Sequence, residues 1–192
     1  MITVFQNVTL DGVMQAPGRK GEDDRGGFEH GGWADGYADE VSMGFAAEGM
    51  SRQDGALLFG RRTYEDLLGF WTTTERPNPF TDVLVNARKL VVTRSADTTA
   101  AYPNTELLVG DAVKTVAEHR ETGLTIMGSG ELIRALHAAR MIDTYVLQIH
   151  PIVLGSGTKL FASEEDGERA NLELERTIPT TTGVIIAQYA VR

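Results

Sequence analysis

The chain has 192 residues, 42% apolar and 23% charged, which suits a single α/β domain with a sizeable core. Its net charge of −9 argues against nucleic acid as a partner, because duplex binding rests on a basic surface meeting phosphates. The absence of cysteine excludes disulfides, thiolate metal sites and cysteine nucleophiles. No apolar run reaches the roughly eighteen residues of a membrane span, and the start, Met1-Ile2-Thr3-Val4-Phe5, lacks the marks of a signal peptide, so a cytoplasmic location is expected.

Residues 2–10 alternate, with Ile2, Val4, Gln6, Val8 and Leu10 on one face and Thr3, Phe5, Asn7 and Thr9 on the other. That is a strand, closed by the turn pair Asp11-Gly12. Residues 18–36 are polar, rich in glycine and without periodicity, yet they hold Phe28 and Trp33. Long loops of this kind in compact domains are lids or binding loops, and the aromatics argue against simple disorder, so a lid over a cleft is expected. A helix follows over 37–52, with Met43, Ala46, Ala47 and Met50 on one side, and then a buried strand over 56–59. The next helix starts at Arg61 and places Tyr64, Leu67, Leu68 and Trp71 on one buried stripe.

Pro77 and Pro79 interrupt the chain before a short helix carrying Phe80, Val83, Leu84 and Ala87. Lys89-Leu90-Val91-Val92 reads as a strand ending in Thr93-Arg94-Ser95, and 105–109 as another. Asp111 is the expected N-cap of a helix carrying Val113, Val116 and Ala117. Strand 124–127 turns at Gly128-Ser129-Gly130 into a helix over 131–140, and a longer strand is expected over 143–154. Two strands, 172–176 and 183–191, end the chain as an antiparallel pair. The alternation of strands and helices implies a mostly parallel sheet covered on both faces, in one domain over 1–192.

Ligands of open parallel sheets sit outside the carboxyl ends of the strands. Three such ends carry one chemistry: Phe59 leads to Gly60-Arg61-Arg62-Thr63, Val92 to Thr93-Arg94-Ser95, and Met127 to Gly128-Ser129-Gly130. Helix N-termini, arginine forks and hydroxyls all suit phosphate oxygens. Gly128-x-Gly130 lacks the third glycine of a dinucleotide fingerprint, Ile133 standing in its place, and no acidic residue is positioned for an unmodified ribose. Arg94 with Ser95 suits an extra ribose phosphate, favouring NADP over NAD.

These stretches also carry a family likeness. Thr9-Leu10-Asp11-Gly12-Val13-Met14, Leu58-Phe59-Gly60-Arg61-x-Thr63-Tyr64-Glu65, Val91-Val92-Thr93-Arg94, Gly128-Ser129-Gly130-Glu131-Leu132 and His150-Pro151-Ile152-Val153-Leu154-Gly155-Ser156-Gly157-x-x-Leu160-Phe161 occur in that order. The whole chain resembles a stand-alone member of the dihydrofolate reductase-like superfamily. The group in question is the one similar to the C-terminal reductase domain of bacterial riboflavin biosynthesis enzymes. The resemblance implies a three-layer α/β fold with about eight strands, an antiparallel C-terminal edge, and NADPH as cofactor. It implies that Gly60, Arg61, Arg62 and Thr63 line the phosphates, and that Thr93, Arg94 and Ser95 take the adenosine end. Gly128, Ser129, Gly130 and Glu131, flanked by Met127 and Leu132, form the turn under the pyrophosphate, and Asn7, Val8 and Met14 flank the nicotinamide. A homodimer is also implied.

The resemblance implies hydride transfer to a planar heterocycle, in the manner of 5-amino-6-(5-phosphoribosylamino)uracil reductase or dihydrofolate reductase. The substrate half departs from both patterns. Gly44 falls where dihydrofolate reductases carry an acidic residue, unless a gap brings in Asp39 or Glu40. The segment Arg62-Thr63-Tyr64-Glu65 differs from the riboflavin-pathway pattern. Proton-source candidates are Asp11, His30, Asp39 and Glu40, although Asp-Gly is a standard turn pair and carboxylates on helices are usually solvated. His150 before Pro151 suits a structural or interface role. Trp33 either stacks on substrate or anchors the lid, and Gln148 reaches the cleft if its strand face is inward. Four histidines with no paired ligand spacing argue against a metal site. The rival reading is an NADP(H)-binding sensor or scaffold without turnover.

Overall fold

The computed structural model describes residues 1–51, 55–75, 79–161 and 168–192. The strands are β1 (Ile2–Thr9), β2 (Ala56–Gly60), β3 (Lys89–Thr93), β4 (Thr105–Val109), β5 (Leu124–Met127), β6 (Thr144–His150), β7 (Leu172–Pro179) and β8 (Ile185–Val191). The helices are α1 (Glu40–Ser51), α2 (Arg61–Thr73), α3 (Pro79–Asn86), α4 (Ala112–Ala117) and α5 (Gly130–Ala138). All eight strands form one sheet in the order β4-β3-β2-β5-β1-β6-β8-β7. The first six run parallel, and β8 pairs antiparallel with both β6 and β7. The expected mostly parallel sheet with an antiparallel C-terminal edge is therefore present.

One face of the sheet is a continuous apolar core. Ile2, Val4 and Val8 of β1, Leu58 of β2, Leu90 and Val92 of β3 and Ile126 of β5 pack there against Val116 of α4 and Leu132, Ile133 and Leu136 of α5. The Asp111 side chain accepts from the Lys114 N–H and caps α4, as the sequence indicates. On the opposite face, Leu57, Phe59 and Val91 are covered by Tyr64 and Leu68 of α2 and Leu84 of α3. Lys89, 0% exposed, is held there by donating to the carbonyls of Leu84, Val85 and Ala87 at the C-terminal end of α3. That arrangement satisfies both the ammonium and carbonyls the helix leaves open.

Several boundaries differ from the sequence reading, three of them with a clear physical cause. The helix expected over 37–52 starts at Glu40, because Asp39 and Ser42 cap each other reciprocally: Asp39 N–H donates to Ser42 Oγ (2.9 Å) and Ser42 N–H to Asp39 Oδ1 (2.8 Å). Of the four residues read on one side of this helix, Met43 is 57% exposed and Ala46 half-buried, while the side chains of Ala47 and Met50 lie outside the described residues; no apolar side chain described in α1 is buried. Arg52 and Pro77 lie outside the described residues. The strand expected over 143–154 stops at His150, since Pro151 has no N–H to donate to a ladder. At the C-terminus, β7 runs on to Pro179, and a bulge between Leu174 and Arg176 re-registers it against β8.

Between the two covered areas of the second face lies an open strip. Arg176 of β7 sits over the Phe45 ring (5.5 Å) and 3.6 Å from Glu48, which ties α1 to the outer strands. Helices α2 and α3 cover β2 and β3. Strands β5, β1 and β6 therefore form the floor of a cleft, and alternate residues of central β1 (Thr3, Phe5 and Asn7) remain half-buried. A central strand half-exposed on one face is a place for a ligand rather than for packing.

Candidate functional site

The carboxyl ends of β3, β2 and β5 are neighbours on one rim, so the three anion-suited strand ends lie side by side. Their joint is specific. The Gly60 N–H donates to Ser129 Oγ (2.7 Å), linking the start of α2 to the start of α5. Gly128 has φ +69°, and a Cβ there would lie 3.0 Å from Thr63 Cγ2. At Gly130 a Cβ would meet Met14 Sδ at 2.7 Å. A side chain at Gly128 would be strained by its positive φ and crowd Thr63, and one at Gly130 would have to displace the Met14 side chain. Ser129 itself holds φ +69°, a left-handed conformation uncommon outside glycine, fixed by its bond to Gly60. Met14, Gly60, Thr63, Gly128, Ser129 and Gly130 thus meet at one point.

Neither α2 nor α5 has a side-chain cap on its first turn. Their opening N–H groups are left for another acceptor, and two helix N-termini converge where a phosphate would be held. Arg61 bonds to Glu65 one turn along α2 (3.1 Å). Arg62 and Arg94 are exposed and have no ion-pair partner among the described residues. At the end of β3, Thr93 Oγ1 accepts from Ser95 N–H (3.2 Å) and bonds Thr98 Oγ1 (2.7 Å), shaping the turn that carries Arg94 and Ser95. Val8 and Leu132 point into the main core, so only their backbones border the rim. Met127 is half-buried on the cleft face, and Glu131 is exposed.

The floor of the cleft is neutral. Asn7 of β1 and Gln148 of β6 are cross-strand neighbours, both half-buried, and the Gln148 side chain has no hydrogen-bond partner among the described residues. Pairing of β1 with β5 ends at Phe5–Met127, while pairing with β6 continues to Thr9–His150. The main chain of residues 6–9 therefore borders a gap on its β5 side. His150, 4% exposed, bonds Asn7 Oδ1 through Nε2 (3.1 Å) and is flanked edge-on by Trp33 (5.1 Å) and Tyr37 (5.2 Å). Burial lowers its pKa to about 4, so the ring is neutral at physiological pH.

The carboxylate candidates are occupied elsewhere. Asp11 accepts from Thr9 Oγ1 (2.6 Å) and from the N–H groups of Gly155 (2.8 Å) and Leu154 (3.2 Å), and these bonds lower its pKa to about 2. It is an ionised staple between two loops and no proton donor. Asp39 accepts from Thr181 Oγ1 and Thr181 N–H (2.6 Å each) as well as Ser42 N–H, and its pKa is held below the carboxylate range. Glu40 is exposed on the first turn of α1, and His30 is exposed at the lid surface against the edge of Phe28. Among the described residues, no group of three or more His, Asp or Glu side chains could hold a metal ion.

The lid has its own small core, in which Phe28 and Trp33 pack with Val13 and Ala16 against Ile152 and Leu154. Trp33 Nε1–H donates to the Gln15 carbonyl (2.6 Å), so Trp33 anchors the lid. Gln15, which sequence reasoning passed over, is its hub. The buried amide donates to the carbonyls of Asp23 and Arg25 and accepts from Thr158 N–H and Oγ1. Arg19 pairs with Asp66 of α2 and lies over the Phe70 ring (4.6 Å), latching the lid to α2.

A model of the RibD C-terminal domain family matches residues 1–186. An uncharacterised Bacillus subtilis protein, YyaP, is 28% identical over 189 residues, spanning 95% of this chain and 90% of its own. Among solved structures, a putative riboflavin biosynthesis protein from Shewanella superposes with a TM-score of 0.72 at 22% identity, over 100% of this chain and 98% of that one. A pyrimidine reductase-like protein from Corynebacterium diphtheriae gives 0.67 at 12% identity, over 100% and 91%. Dihydrofolate reductase from Enterococcus faecalis, solved with NADP(H), gives 0.60 at 16% identity, over 100% and 96%. Likeness at these identities shows the fold, which is dihydrofolate reductase-like.

Proposed function

The chain belongs to the RibD C-terminal domain family, and on that premise we propose that it is an NADPH-dependent reductase acting on a planar heterocycle. The observation that carries the reading is the joint at Gly60–Ser129, where two uncapped helix N-termini and three neighbouring parallel strand ends converge. That cradle fits a pyrophosphate, and Arg94 on the β3 turn, without an ion-pair partner among the described residues, suits an additional ribose phosphate. When bound, NADPH supplies the hydride. The protein supplies placement: Phe5, Asn7, Met127 and Gln148 form the floor, and the anchored lid limits water.

The neutral floor indicates an acceptor recognised by amide hydrogen bonds rather than by a carboxylate. Asp11 and Asp39 are both committed to structure, which leaves solvent, Glu40 and His30 as proton sources. The same occupied carboxylates favour the second reading, a non-catalytic NADP(H) sensor. NADPH oxidation measured with pterins, ribosylaminopyrimidines and flavins as acceptors separates the two. Turnover with one of these classes is expected; tight NADPH binding with no turnover across the panel would favour the sensor.

A further inference from the structure

His150 is an awkward core residue. Its Nε2 bonds Asn7 Oδ1, an atom that can only accept, so Nε2 carries the ring proton. Nδ1 is then an acceptor, buried and with no partner. A phenylalanine in the same space would keep the edge contacts with Trp33 and Tyr37 and leave no orphaned buried nitrogen. Packing does not account for an imidazole here. The bond to Asn7 does.

That bond decides what Asn7 can offer. With Oδ1 occupied, the carboxamide is fixed, and its Nδ2 group has no partner among the described residues on a half-buried side chain of the cleft floor. Asn7 lies two residues beyond Phe5, where the pairing of β1 with β5 ends and the Gly128–Gly130 turn begins. Adjacent strands are about 4.8 Å apart, so Asn7 stands one strand over from the phosphate cradle. On the NADPH reading, a dinucleotide whose pyrophosphate lay in that cradle would have Asn7 within reach of its one carboxamide.

We infer that His150 is a positioning residue acting through Asn7, holding the Asn7 carboxamide so that its Nδ2 hydrogens face the carbonyl oxygen of the nicotinamide carboxamide. The inference rests on the NADPH reading above. Trp33 and Tyr37 fix the ring edge-on and so couple the lid to this contact.

The test is a binding titration with NADPH and with 2′-phospho-ADP-ribose, which lacks the nicotinamide, on the wild type and on Asn7→Ala, His150→Gln, His150→Asn and Asn7→Ala/His150→Asn. A glutamine amide nitrogen can take the place of Nε2; that of asparagine takes the place of Nδ1. We expect His150→Asn to weaken NADPH by about fivefold, the scale of one neutral hydrogen bond, with the fragment unaffected. His150→Gln restores wild-type affinity, and the double variant binds NADPH no worse than Asn7→Ala. Unchanged fragment binding also reports that each variant is folded. Additive losses, a His150→Gln as weak as His150→Asn, or equal losses for NADPH and fragment would overturn the inference while leaving NADPH binding intact. A wild type that binds neither molecule would overturn the cofactor reading and this inference with it.

Discussion

At the scale of single residues, burial and hydrogen bonding sort the titratable groups into roles that composition alone does not reveal. Asp11 and Asp39 are both candidate proton donors by sequence, yet each carboxylate is held ionised by hydrogen bonds, Asp11 by Thr9 and then Gly155, Asp39 by Thr181 and then Ser42. His150 runs the other way: burial favours its neutral form and lowers its pKa from 6.5 to about 4. Between those pH values the unfolded chain binds a proton that the folded chain refuses. Stability therefore falls as pH drops from about 6.5 to 4 and levels off below, by an amount on the order of 2–3 kcal/mol. Urea unfolding of wild type and His150→Phe across this window checks it. The variant is expected to lose most of that slope, and an unchanged slope would assign the pH dependence to other groups.

At the scale of elements, the lid and α1 behave differently from their sequence patterns. The segment 18–36 shows no periodicity because it is ordered by dispersed contacts: Gln15 bonding to Asp23, Arg25 and Thr158, Trp33 to the Gln15 carbonyl, and Arg19 to Asp66. None of these follows a helical or strand period, so none is visible as a pattern. Helix α1 is apolar in composition yet buries none of its described apolar side chains, and its tie to the sheet is polar, through Arg176 and Glu48. Arg19→Ala should cut the latch between lid and α2. Because the Arg19–Asp66 pair is partly solvent-exposed, global stability is expected to change by less than about 1 kcal/mol. Amide hydrogen exchange across residues 18–36 should nonetheless speed up severalfold. Unchanged exchange there would place the lid's order in the Phe28–Trp33 cluster alone.

At the scale of the molecule, most of the architecture was legible because buried parallel strands read as short apolar runs bounded by glycine, and Ala56-Leu57-Leu58-Phe59-Gly60 is one such run. The strand ends were legible for the same reason: chemistry-bearing residues follow each run directly. What could not be read was which residues meet across the sheet. Gly60 and Ser129 are 69 positions apart, and Asn7 and His150 are 143 apart. Alternation also left the inward face of β6 undecided until its register with β1 set Gln148 beside Asn7. The cleft floor is built from such long-range pairs, whereas the residues that line the rim are carried by local motifs.

The central claim is that the rim of β3, β2 and β5 holds a dinucleotide carrying an extra ribose phosphate. Titration of the wild type and Arg94→Ala with NADPH and NADH tests it most directly. The account predicts that the wild type binds NADPH at least roughly tenfold more tightly than NADH, a gap of about 1.4 kcal/mol that one charge-assisted phosphate contact supplies. Arg94→Ala should remove most of that preference with little change toward NADH. Equal wild-type affinity for the two cofactors, or a preference untouched by Arg94→Ala, would contradict it.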